Sequence, residues 1–134
     1  MDPLRTIKLS WGFSSPADIS YQLARFRFPQ SIPTWQPAVN VYRCDKSVRV
    51  CVDLAGVERA DIDLRVEPEQ LIIRGTRDVP EPEGFSGQSL QMLIMEIDYG
   101  PFERVIRLSQ RIDVEKAHAE QRNGLLWIHL PFES

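Results

Sequence analysis

The sequence predicts an all-β protein, an antiparallel β-sandwich of roughly six or seven short strands. Three observations predict it. Apolar and polar residues alternate with a period of two from Gln36 onward. Turn residues recur roughly every 8–12 positions between the alternating runs. The pair Asn123-Gly124 sits between two of those runs, where it signals a tight hairpin.

The chain of 134 residues suits one sandwich preceded by an arm. Residues 1–34 form that arm. They carry four basic and two acidic residues, whereas the whole chain has a net charge of −3. The arm holds Trp11, Phe13, Tyr21, Phe26 and Phe28 and is broken by Pro3, Pro16, Pro29 and Pro33. It is too short to bury those rings in a core of its own. A short helix is expected within it. Ser15 suits the cap, Pro16 the first helical position, and Asp18 completes an S-x-x-D box. Ile19, Leu23 and Phe26 then form one apolar stripe, and Pro29 ends the helix. The stripe serves either to dock the helix on its own sandwich or as an adhesive arm for self-association or capture of another protein. Trp11, Phe13, Ile19, Leu23, Phe26 and Phe28 are the arm's candidate residues for binding other proteins.

The strands follow in order. Ser47–Asp53 places Val48, Val50 and Val52 on one face, with Arg49, Cys51 and Asp53 on the other. A hairpin at Asp45-Lys46 sets Cys44 against Ser47 and Cys51 against Asn40, so the two cysteines are not partners and free thiols are expected. Asp61–Val66 turns Ile62, Leu64 and Val66 inward. Gln70–Arg74 turns in Leu71 and Ile73, with Ile72 opposite. Pro101–Leu108 sets Phe102, Arg104, Ile106 and Leu108 on one side. Ala117–Gln121 is a weaker strand. Leu125–Leu130 closes the set with Leu126, Ile128 and Leu130 inward. Ala55-Gly56, Glu67-Pro68, Asn123-Gly124 and Pro131 punctuate these runs.

One stretch breaks the pattern. Asp78–Gln88 is rich in Pro, Glu, Gly and Ser and reads as a solvated excursion. Leu90-Gln91-Met92-Leu93-Ile94-Met95 follows and is apolar nearly throughout. Such a run is either a core strand of its own subunit or a strand handed to a second subunit, with the preceding loop giving the reach.

Composition excludes several classes. The chain lacks the positive charge expected of a nucleic-acid binder. No apolar run approaches the roughly 18 residues that span a membrane, and no signal peptide is evident, so a cytoplasmic protein is expected. No phosphate-binding glycine loop or nucleophile elbow occurs, and no cofactor is implied. His118 and His129 are the only histidines and lack the spacing or cysteine partners of a zinc site, so no metal is expected.

Four stretches in order resemble the small heat-shock protein family, whose core is the α-crystallin domain. Ala119-Glu120-Gln121-Arg122-Asn123-Gly124-Leu125-Leu126-Trp127-Ile128-His129-Leu130-Pro131 follows its A-x-x-x-N-G-x-L-x-I/V-x-L-P signature. Gly100–Leu108 matches its G-x-F-x-R-x-[IF]-x-L stretch. Asp53-Leu54-Ala55-Gly56-Val57 with Asp61-Ile62 resembles its D-L-P-G-V…D-I turn. Pro37–Tyr42 resembles its opening strand. The resemblance covers residues 35–131 and leaves 132–134 as a short tail.

The resemblance implies an immunoglobulin-like sandwich and an ATP-independent holding chaperone that binds partly unfolded clients and catalyses nothing. It implies a dimer of the bacterial and plant type. There Leu90, Gln91, Met92, Leu93, Ile94, Met95 and Glu96 would add to a partner's edge at Val39, Val41 and Tyr42. Arg104 would sit at that contact with a carboxylate partner, Glu96 being the nearest in sequence. Ala55 and Ser109 stand where the family usually has proline. The family's C-terminal I-x-I does not follow Pro131. The groove that would receive it, along Asp61–Val66 and Ala117–Gln121, is therefore expected to be vacant, and the assembly to be a dimer or small oligomer. Trp127 faces away from Leu126 and Ile128, either as an amphipathic surface residue or as client-binding surface. Two competing roles are an adaptor co-chaperone and a regulatory subunit that co-assembles with tail-bearing relatives.

Overall fold

The structure is a computed structural model; it describes residues 34–134 and, as backbone, residues 5–7. The arm's predicted helix and the six candidate client-binding residues in it lie outside the described residues. Among the described residues there are eight strands: β1 (Arg5–Ile7), β2 (Val39–Arg43), β3 (Ser47–Asp53), β4 (Ile62–Val66), β5 (Gln70–Arg77), β6 (Gly100–Arg107), β7 (His118–Arg122) and β8 (Leu125–Pro131). They form two antiparallel four-stranded sheets, ordered β1-β4-β5-β6 and β2-β3-β8-β7. The predicted sandwich is therefore present.

The alternating residues meet between the sheets. Val50, Val52, Leu64, Val66, Leu71, Ile73, Phe102, Leu126 and Leu130 have no exposed surface. Each comes from the inward set of its strand, so the period of two alone assigns them to the core. Removing these faces from water is the main favourable term of folding. Gly75 on β5 is forced by this packing. A Cβ there would lie 2.1 Å from the carbonyl oxygen of Asp61 and 2.4 Å from the ring of Phe102. No larger residue fits without moving the backbone.

The Asn123-Gly124 hairpin joins β7 to β8 as expected. Both residues have positive φ, 53° and 77°, as a two-residue turn of this hand requires. Strand boundaries shift slightly from the sequence reading. β2 begins at Val39, β5 runs on to Arg77, and β7 begins at His118 because Val114–Lys116 forms a 3₁₀ turn. Leu108 falls just past β6 and is half-buried.

One strand was not expected. β1 lies on the outer side of β4, with Arg5 opposite Val66, Thr6 opposite Arg65 and Ile7 opposite Leu64. The β4 side of the groove, expected to be vacant, is occupied by the chain's own backbone.

Candidate functional site

The β2 edge is open. Asn40, Val41, Tyr42 and Arg43 are exposed, and β2 pairs only with β3 among the described residues. Its outward N–H and C=O row is available to another strand. Val39, at its start, is half-buried against the core.

The loop between β5 and β6 supplies apolar surface. Every residue from 78 to 99 is exposed. Leu93 is 83% exposed and Ile94 77%, and Leu90, Met92 and Met95 are all more than half exposed. This segment forms no strand within the chain and does not enter the core. A shallow hollow lined by Val79, Pro80, Met92, Ile94, Met95 and Tyr99 gathers part of it on one side. Gln91 and Glu96 lie in the same exposed segment.

The root of this loop is clasped to the start of the sandwich. The backbone N–H of Trp35 donates to the Pro101 carbonyl (3.2 Å), and the N–H of Glu103 donates to the Trp35 carbonyl (3.1 Å). The indole Nε1 donates to the Gly100 carbonyl at 3.1 Å. The Trp35 ring leans on Phe102, with centroids 5.2 Å apart, and the Arg77 guanidinium sits 4.3 Å from its centroid. Arg77 Nε donates to the Asp98 carbonyl at 2.8 Å, tying the loop's entry to its exit. Sequence reading missed this clasp, because Trp35 and Gly100 are far apart in the chain and no local period joins them.

Arg104 is half-buried on β6 and donates from Nη1 to the Pro37 carbonyl at 3.2 Å. Among the described residues its hydrogen-bond partner is thus a carbonyl at the approach to β2. Glu103 beside it pairs instead with Arg74 at 2.6 Å.

The outer face of the β2-β3-β8-β7 sheet is polar and aromatic. One row across it reads Tyr42, Arg49, His129, His118, and the next reads Asn40, Cys51, Trp127, Glu120. Trp127 is half-buried. Its ring stacks near that of Tyr42 at 6.4 Å, and the Arg122 guanidinium lies 5.6 Å from its centroid. Cys51 points to this outer face as alternation requires, yet it is buried directly opposite Trp127. That burial pushes its thiol pKa up. Cys44 is exposed, and its Sγ lies 3.2 Å from Ser47 Oγ. That hydrogen bond lowers its thiol pKa. Both thiols are free, as expected.

His118 and His129 are directly opposed, with rings stacked 4.8 Å apart. The hairpin turn could have revealed this pair, since both residues stand five positions from the Asn123-Gly124 turn. Burial, His118 and Arg49 together hold the His129 pKa below 6.5. No group of three or more potential metal ligands occurs among the described residues.

Comparison with known sequences decides the family, for the pattern described as "Hsp20/alpha crystallin family" matches residues 40–134. The chain belongs to the Hsp20/alpha crystallin family. Similar proteins include the probable 15 kDa heat shock protein of Leptospira interrogans, 27% identical over 71% of this chain and 68% of the relative. Heat shock protein 16 of Schizosaccharomyces pombe is 32% identical over 71% of this chain and 65% of the relative. A 26.7 kDa chloroplastic heat shock protein of rice is 27% identical and matches over 55% of its own length. Among solved structures, heat shock protein 16.0 from S. pombe is similar at 31% identity, with a TM-score of 0.63 over 72% of this chain and 86% of that one. HspA from Xanthomonas axonopodis is similar at 28% identity, with a TM-score of 0.62 over 75% and 97%.

Membership makes this small heat-shock protein one of a family of non-enzymatic stress-response chaperones. It implies suppression of aggregation, client binding and oligomerisation in general terms. No helix among the described residues is long and apolar enough to cross a membrane.

Proposed function

We propose that this small heat-shock protein is an ATP-independent holdase working as a homodimer in the cytoplasm. The observation that carries the reading is the pairing of an open β2 edge with an exposed apolar run in the same chain. Leu90–Met95 of one copy, with Glu96, adds to Val39–Tyr42 of the other. Main-chain hydrogen bonds supply affinity, and the apolar side chains leave water. Burying them is worth about 25 cal/mol per Å² before ordering costs. Arg104 lies on the chain's path to β2 and steadies it through Pro37.

The arm of residues 1–34 captures partly unfolded clients through its aromatic residues, and the ring of Trp127 extends that surface. Covering apolar segments lowers the concentration of client free to aggregate and needs no nucleotide. Weak, adaptable contacts suit many clients. The two free thiols fit a reducing compartment.

The test removes residues 1–34. The remaining sandwich is expected to stay a dimer by light scattering and to lose most protection of a heat-denatured model client. Full protection by the shortened protein would overturn the role of the arm.

A further inference from the structure

β4 is an outer strand of its sheet apart from one short segment. Its inner neighbour is β5, and among the described residues its other side carries only Arg5–Ile7. Without β1, the outward N–H and C=O groups of Ile62–Val66 would form a second open edge. The hydrogen bonds of a three-residue ladder do not outweigh the cost of ordering three residues. Such a pairing persists because the chain tethers it, which sets an effective concentration on the order of millimolar. Residues 8–33 separate β1 from the sandwich. At about 3.3 Å per extended residue, that length does not confine the strand to its own chain.

We propose that Arg5–Ile7 is a self-docking latch that closes the β4 edge in cis, and that the same segment of a second copy takes its place when it lifts. The second copy is the occupant because β4 already accepts this segment in a defined antiparallel register. An identical segment from another chain meets identical backbone partners. The exchange conserves every ladder contact and changes only which chain provides them, so concentration decides between the closed and the linked form. This link lies on the sheet opposite the one bearing the β2 edge. The inference stands apart from client binding.

The test uses the full chain. Thr6→Cys and Arg65→Cys are introduced with Cys44→Ser. Directly opposed antiparallel residues lie about 4.5–5.5 Å apart at Cα, within reach of a disulfide. In dilute protein under mild oxidation, peptide mapping is expected to find the 6–65 bridge within single chains. A fluorescent peptide copying Pro3–Leu9 serves as the probe. It is expected to bind the oxidised protein at least about tenfold more weakly than the reduced protein. Absence of the bridge, a bridge formed only between chains, or equal peptide binding would each overturn the latch. Thr6→Pro tests it without thiols. Amide exchange in β4 is expected to quicken at least about tenfold while β8 is unchanged, and unchanged β4 exchange overturns the proposal. Aggregation of a heated client, followed separately with the reduced protein, reports on the holdase reading and not on the latch.

Discussion

The strands of the sandwich and the β5–β6 loop use the same apolar residue types and treat them in opposite ways. Val50, Val52, Leu126 and Leu130 have no exposed surface, whereas Leu93 and Ile94 are 83% and 77% exposed. Hydrophobicity does not separate them; periodicity does. A strand that alternates can give one face to the opposing sheet and the other to water. Leu90–Met95 has no polar face to give to water. Among the described residues it is left exposed.

That contrast can be broken from either end. The largest effect is expected inside the sandwich. Phe102→Ala removes a fully buried ring that also supports Gly75 and Trp35. It is expected to cost about 3–5 kcal/mol in urea denaturation. A loss below about 1 kcal/mol would show that the ring is not an anchor of the core.

The second effect belongs to the loop. Ile94→Asp is expected to leave the sandwich's own stability within about 0.5 kcal/mol. It is also expected to weaken dimerisation at least about a hundredfold, or about 2.7 kcal/mol, by sedimentation or light scattering. An unchanged dimer would break the proposed exchange, and a lost fold would show that the segment belongs to the core after all.

The smallest effect concerns neither interior nor loop but the outer sheet face. The His129 pKa is held below its usual value by burial, by His118 and by Arg49. Arg122 and Glu120 also line this face, where they form an ion pair with each other, and Asp53 lies further along β3. A histidine whose folded pKa lies below its unfolded value binds its proton more readily when unfolded. Stability from it is therefore present above about pH 6.5 and lost as pH falls through the folded value. The denaturation midpoint is expected to drop between about pH 7 and pH 5.5. His118→Gln is expected to shrink that drop, and an equal drop in both proteins would refute the coupling.

Much of this was legible in the sequence, for identifiable reasons. The inward residues of β3, β4, β5 and β8 followed from alternation alone, and the β7–β8 hairpin from Asn123-Gly124. The family was legible because its signatures sit on turns and core positions that the fold makes obligatory. Leu90–Met95 could be singled out because a run without alternation is conspicuous among strands that alternate. Whether it would enter its own core was not readable, since burial depends on space left by residues distant in sequence. Alternation alone does not carry the burial of Cys51. Its alternation points outward, but its neighbour across the strands is a large ring. β1 on β4 was illegible because three residues carry no period.

The clasp at Trp35 has a mechanical consequence. The approach to β2 and both ends of the β5–β6 loop are fastened to one post built from Trp35, Arg77 and Gly100. Tension applied to the leading segment and tension applied to the loop therefore bear on the same joint.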